Sequence, residues 1–428
     1  MAINVGTLAG RGDELRELAR RSRETILLAA VVGVITGLGV ALFEWVTVHQ
    51  ALRTVLALPV GIRPWLPLVG LTLTALILRF GGRLTPSTSD EYIRNFHTSD
   101  DLALRPIAWR MLAAVATVGS GAPGGLEGAS LYLGAGIGSG LQRRFRATLG
   151  SGVAKNLMVA GAAAGVAAIF KAPATGAVFA LEVPYRDDLG RRLLIPSLVG
   201  AAGGYLAFVA VTDTRPLLAV TGTAPFDLRD LLGAVALGVG TGVIIRLYAV
   251  ALRAAKQFQR DRPVWLSVPI GGVSIALLAI SAHAASGESL ALTPGYNAIQ
   301  WAADPHHSLS IVALLLVIRL AGTLATLAGG GVIGLFVPLV VAGALIGHLA
   351  GGALAVSNPT LFVILGVAAA LGAGYRVPLA AVMFVAEATG RPGFVVPGLL
   401  AAVGADLVMG SSSVTQYQRS GDAVDELH

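Results

Sequence analysis

The sequence predicts an all-α polytopic membrane protein of two inverted-topology repeats with broken, tilted helices. Three observations carry that prediction. First, 55% of the 428 residues are hydrophobic and 13% charged, with mean hydropathy +0.75; soluble domains carry about 25% charge. Second, 20 prolines cut the apolar runs into pieces, many shorter than the ~20 residues of a straight span. Broken backbone at membrane depth is tolerated where it lines a cavity or is buried in protein. The 55 glycines suit close helix packing in lipid.

Third, the motifs recur. Gly125-Leu126-Glu127-Gly128-Ala129 is echoed by Gly334-Leu335-Phe336-Val337-Pro338, and Arg110, Gly134 and Gly138 match Arg319, Gly343 and Gly347 at the same offset of 209 residues. Phe170-Lys171-Ala172-Pro173 matches Tyr375-Arg376-Val377-Pro378, and Glu182 matches Glu387, at an offset of 205. Doubled halves with interrupted helices are the architecture of secondary transporters, whose sites lie near mid-membrane at the repeat interface.

In chain order, residues 1–24 are a polar segment with an amphipathic helix over 13–24, and Arg16, Arg20, Arg21 and Arg23 place it in the cytoplasm. The first repeat covers 25–212, the inter-repeat linker 213–230, the second repeat 231–410 and a polar tail 411–428. Apolar helices are predicted over Thr25–Val48 and Trp65–Phe80. The connection Gly81–Leu104 is polar, and its Pro86-Ser87-Thr88-Ser89-Asp90-Glu91 suits the cap of a short helix. Arg105–Val118 leads into the glycine-rich stretch Gly119–Ser130, and Arg143, Arg144 and Arg146 form a cytoplasmic basic turn. Leu157–Val183 is kinked at Pro173, and Leu193–Val211 spans again. In the second repeat the spans are Leu231–Ala254, Val264–Ala284, Leu309–Leu327, Val332–Val356, Leu361–Glu387 (kinked at Pro378) and Val395–Val408. Ser286–His307 is a polar loop.

Glu127 is the leading functional candidate. An ionisable group in a membrane segment is costly, and this one sits in a glycine-rich turn that opens a helix, where free N–H groups suit an anion. With no cysteines, disulfides, thiolate metal sites and cysteine nucleophiles are excluded. The net charge of +7 reflects topology and contact with membrane lipids rather than nucleic acid. No His-Glu-x-x-His is present, so no metal site is expected, and Ser120 has no evident histidine partner for nucleophilic chemistry. An enzyme is not expected. Arg110 and Arg319 either draw anions toward a pore or snorkel at helix ends; His348 suits a packing role.

With the repeat in hand, the motifs resemble those of the CLC family of chloride channels and chloride/proton exchangers, of the prokaryotic type without a C-terminal regulatory domain. Gly125-Leu126-Glu127-Gly128-Ala129 resembles the family's Gly-x-Glu-Gly-Pro, Gly334-Leu335-Phe336-Val337-Pro338 its Gly-x-Phe-x-Pro, and Gly161–Pro173 running to Glu182 its following helix pair. The likeness covers about Thr25–Tyr417. It implies an anion pore gated by Glu127, with Gly125, Leu126, Gly128, Leu335 and Phe336 around the ion. The implied cargo is chloride or a related anion, with protons as a second one. A homodimer in a prokaryotic plasma membrane is implied, and no cofactor beyond bound chloride.

The departures are as informative. Leu126 stands where the family usually has a basic residue, and Ala129 replaces its proline. Gly119-Ser120-Gly121-Ala122-Pro123 looks like the family's chloride-coordinating serine turn, but occupies the place of its Gly-Gly-Gly segment. The coordinating serine is expected at Ser87, then Ser89. The inner-gate residue is expected at Tyr417, or Thr415 in an alternative register. Val183 stands where exchangers carry a second, proton-handling glutamate, which favours a passive channel. The retained Glu127 leaves a proton-coupled exchanger as the alternative. A transporter of another fold and an intramembrane enzyme are remote alternatives.

Overall fold

Small residues decide how these helices meet. In the computed structural model, which describes residues 5–98, 102–145, 155–218, 226–354 and 358–421, with side chains from residue 23 onward, all extended elements are helical. Helix α1 (Val5–Glu44) runs on through a π turn at Trp45–Leu52 and a last turn at Arg53–Leu56. The polar segment and the first apolar span are therefore one helix, since no glycine or proline divides Asp13 from Ala30. The side chains of Arg16, Arg20 and Arg21, and all of Arg146, lie outside the described residues, as do 219–225 of the linker and 422–428 of the tail.

The rest of the first half comprises α2 (Leu66–Phe80), α3 (Ser89–Thr98), α4 (Leu104–Gly119), α5 (Glu127–Arg144), α6 (Asn156–Phe170), α7 (Pro173–Glu182) and α8 (Leu194–Val209). The second comprises α9 (Leu228–Asp261), α10 (Val264–Ser286), α11 (Tyr296–Ala302), α12 (Leu309–Ala328), α13 (Phe336–Ala353), α14 (Pro359–Tyr375), α15 (Pro378–Thr389) and α16 (Val395–Met409). Seven helices among the described residues are long and apolar enough to cross a membrane.

The halves pack alike. α5 lies along α6 as α13 lies along α14, and the trio α1, α6, α8 is matched by α9, α14, α16. Gly134 and Gly161 touch backbone to backbone, and so do their counterparts Gly343 and Gly366. A Cβ at any of the four would run into the facing carbonyl. This is how small residues bring helices together in lipid, where there is little hydrophobic drive between them. The polar loop expected over Ser286–His307 contains α11, which the low charge and short length of Tyr296–Ala302 concealed.

The matched arginines staple loops. Arg110, 4% exposed, donates from Nε to Thr85 O (3.0 Å) and from Nη2 to Thr85 Oγ1 (3.0 Å). Arg319, 3% exposed, donates from Nη2 to Pro294 O (2.6 Å) and from Nη1 to Thr293 O (3.1 Å). Each fixes the turn before the short helix of its half, α3 or α11. Neither snorkels. His348 Nδ1 lies 2.7 Å from Ala302 O at the end of α11, a packing contact.

A second reciprocal device joins the halves. Glu182, at the end of α7, accepts from the Leu379 and Ala380 amides (3.1 and 2.9 Å), which begin α15. Glu387, near the end of α15, accepts from the Ala174 and Thr175 amides (2.9 and 2.7 Å), which begin α7. Each carboxylate caps the other half's helix start, the favourable end of the dipole for a negative charge.

Candidate functional site

Two glycine turns meet at the middle of the fold. Gly125 N donates to Gly334 O (3.0 Å) and Gly334 N donates to Gly125 O (2.8 Å), an antiparallel bridge between equivalent positions of the halves. The bridge sets the starts of α5 and α13 face to face. Neither start carries a side-chain cap of its own, so the leading amides are free for whatever lies between them.

Glu127 lies there, 2% exposed. Its Oε1 accepts from Phe336 N at 2.5 Å, with the Val337 amide alongside. Its Oε2 is buried without a partner. The carboxylate fills the space that a Cβ would need at Gly125 or Gly334, which is why both positions are glycine. The Phe336 ring is held by Phe170, Phe384 and Phe179 at centroid distances of 4.3, 4.9 and 5.5 Å. Leu126 is 6% exposed and lines the outer approach.

On the inner side, Leu335 N donates to the Tyr375 hydroxyl (3.2 Å). Tyr375 ends α14, is 1% exposed, and shares a cavity wall with Ser89. A Cβ on Gly128 would stand 2.7 Å from Thr88 Oγ1 and 2.9 Å from Ser89 Oγ. Thr88 Oγ1 is buried without a partner. Three hydroxyls, of Thr88, Ser89 and Tyr375, thus gather behind the carboxylate.

A cavity approaches from each side. The inner one, about 70 Å³, is bounded by Ser89, Asp90, Lys256, Tyr375 and Thr415 among others. In it Asp90 Oδ2 accepts from Lys256 Nζ (2.7 Å), and Oδ1 from Gln416 N (2.8 Å). The outer cavity, about 360 Å³, reaches Leu126 and carries Glu44 and Lys171 in its wall. Lys171 Nζ lies 2.5 Å from Asp213 Oδ1. That hydrogen bond holds the Asp213 carboxyl below its usual range.

Gly125, Leu126, Glu127, Gly128, Leu335 and Phe336 are brought together; Ser87, Ser89, Thr415 and Tyr417 are placed as follows. Ser87 lines the inner cavity and donates its hydroxyl to Asp90 Oδ2 (3.2 Å) at the start of α3. Ser89 is the serine beside Gly128. Tyr417 is 50% exposed, at φ 69°, and away from the centre. Its neighbour Gln418 points inward, donating from Nε2 to Val183 O (2.9 Å) and Tyr375 O (2.8 Å). The tail after α16 is irregular, with bends over 414–417. Thr415 lines the inner cavity. The tyrosine at the centre is Tyr375, which sequence reasoning missed. Its one available signal was that it replaces Phe170 in an otherwise matched motif. Val183 is buried, 1% exposed.

Crossed helix starts around a buried carboxylate, with a cavity on either side, define a multi-pass membrane protein built around a pathway. A family model for voltage gated chloride channels matches residues 69–410. The chain belongs to that family. It is 29% identical over 431 residues to the H(+)/Cl(-) exchange transporter ClcA of Citrobacter koseri, covering 93% of this chain and 88% of the relative. The protein of the same name from Salmonella paratyphi B is 28% identical over 430 residues, with the same coverage. Among solved structures, a CLC-type fluoride/proton antiporter superposes with TM-score 0.79 at 23% identity, covering 93% of this chain and 98% of that one. A slow cyanobacterial Cl-/H+ antiporter gives 0.78 at 21% identity, covering 90% and 94%. At these identities the structural likeness speaks for the fold.

Proposed function

We propose that this chain moves chloride, or a closely related small anion, across the membrane in exchange for protons, with Glu127 as the gate and the proton carrier. The observation that carries this reading is the 2.5 Å contact between Glu127 Oε1 and the Phe336 amide. A carboxylate oxygen occupies the position in which a helix start would hold an anion. Protonation removes the charge that holds it there, and an anion then takes the amides of Phe336 and Val337. Amides and helix ends bind without a full opposing charge, so the ion is held weakly enough to leave.

On the inner side, Ser89, Leu335 and Tyr375 line the inner cavity together, and the Tyr375 hydroxyl accepts from the Leu335 amide. The relatives named above as exchange transporters and antiporters favour the same reading. The homodimer belongs to it too, since α8 and α16 present apolar faces, among them Leu206 and Leu407.

The second reading is a passive anion channel, favoured by Val183. A buried valine carries no proton, so an exchanger needs another inner route, and water reaching the hydroxyls of Thr88, Ser89 and Tyr375 from the inner cavity would supply it. Chloride efflux from liposomes with simultaneous recording of external pH separates the two. Proton uptake in fixed proportion to chloride loss supports exchange; chloride loss with no proton movement supports the channel.

A further inference from the structure

A cavity of about 640 Å³ opens on the flank of the protein between α2 and α10, away from the carboxylate. That size falls within the ~300–1,000 Å³ of ordinary ligand sites. Its upper wall is apolar, with Leu76 from α2, and its lower end is basic, with Arg79 and Arg83. Both arginines are exposed, and among the described residues neither guanidinium has a hydrogen-bond or ion-pair partner. Arg83 sits at φ 58°, a left-handed conformation that a non-glycine residue adopts at a cost of ~1 kcal/mol or more. Trp265, at the start of α10 and 75% exposed, flanks the same end.

The basic end faces the cytoplasm. α1 starts there by its arginines, α2 returns, and Lys256, Arg260 and Arg262 at the end of α9 lie on the same side. Unpaired cations and a tryptophan at interfacial depth, below an apolar cleft open to lipid, complement one class of molecule: an acyl chain with an anionic headgroup. A soluble anion would use the arginines and leave the apolar cleft without a function. The cleft also touches the pathway, because Pro86 and Gln259 belong to its wall and to the wall of the inner cavity. Pro86 opens the turn that carries Thr88 and Ser89.

We propose that this cleft seats an anionic phospholipid of the cytoplasmic leaflet. Its phosphate lies on Arg79 and Arg83, its acyl chain along Leu76, and its occupancy steadies the Pro86 turn that carries Ser89. The test is native mass spectrometry of the full chain released from bilayers of equal phosphatidylcholine and phosphatidylglycerol, which reads lipid retention without any transport measurement. The wild type retains phosphatidylglycerol over phosphatidylcholine by about thirtyfold, the scale set by two interfacial cations. R79Q/R83Q abolishes that preference while keeping its helical circular dichroism. If the double variant fails to fold, Leu76→Trp, which fills the cleft and leaves both arginines, expels the retained lipid of either kind. Equal retention of the two lipids by the wild type overturns the proposal, as does an unchanged preference in a folded R79Q/R83Q. Displacement of phosphatidylglycerol by inorganic phosphate alone also overturns it, by showing a soluble-anion site.

Discussion

Phe170 and Tyr375 end matching helices in the two halves, each followed by a left-handed residue, Lys171 at φ 53° and Arg376 at φ 58°. Phe170 contributes a ring to the aromatic packing of Phe336. Tyr375 adds a hydroxyl to the same packing and sets it on the Leu335 amide. The helix starts differ likewise: the first half supplies the Glu127 carboxylate, the second the Phe336 amide that receives it. The scaffold is nearly symmetric and the chemistry is not. Duplication gives two opposed helix starts, and single-residue differences make the two sides of the crossing chemically unlike, as the proposed gate requires.

The symmetric part should respond symmetrically. Glu182→Ala and Glu387→Ala each leave two helix-start amides unpaired, at a cost of about 2–4 kcal/mol. Thermal unfolding of the detergent-solubilised protein should show destabilisation in both, larger for Glu182 because it is the more deeply buried. Destabilisation in one variant alone breaks the claim that the halves brace each other.

The asymmetric part should respond on one side only. Gly334→Ala puts a methyl group where the Glu127 carboxylate lies. The methyl displaces the carboxylate from its charge-assisted hydrogen bond with the Phe336 amide, so the expected effect is about 100-fold in transport rate with the fold retained. Flux in liposomes checks it. Tyr375→Phe removes one hydroxyl from Leu335 N and should change the chloride rate about tenfold. Phe170→Leu, at the matched position, should change it far less. Equal effects at the two positions would mean that Tyr375 acts by packing alone. Smallest, Ser89→Ala should alter the preference between chloride and larger anions by about threefold, the lower end of a hydrogen bond's net worth. Ser87→Ala should leave the preference unchanged, since Ser87 serves Asp90.

Most of the fold was legible in the sequence, because offsets of 209 and 205 residues fix which glycines, arginines and glutamates correspond. The centre was legible through Glu127, a charge in a glycine turn that nothing else in the apolar context explains. The rest was hidden for local reasons. Pro86-Ser87-Thr88-Ser89 offers three hydroxyls in succession, and only the start of α3 at Ser89 decides which face the centre. In the tail, the left-handed backbone at Tyr417 sets Gln418 inward and Tyr417 outward, a turn that the polar composition of the tail does not reveal. α11 hid within a polar loop, and Tyr375 within an apolar run, where its hydroxyl was the single clue.

The central claim is that the Glu127 carboxylate both blocks the anion position and carries the proton. The direct measurement is paired chloride and proton flux in liposomes, with wild type and Glu127→Gln side by side. The account predicts coupled chloride loss and proton uptake in the wild type, and chloride loss with proton uptake reduced to background in Glu127→Gln. Proton uptake that persists in Glu127→Gln at the wild-type ratio would contradict it.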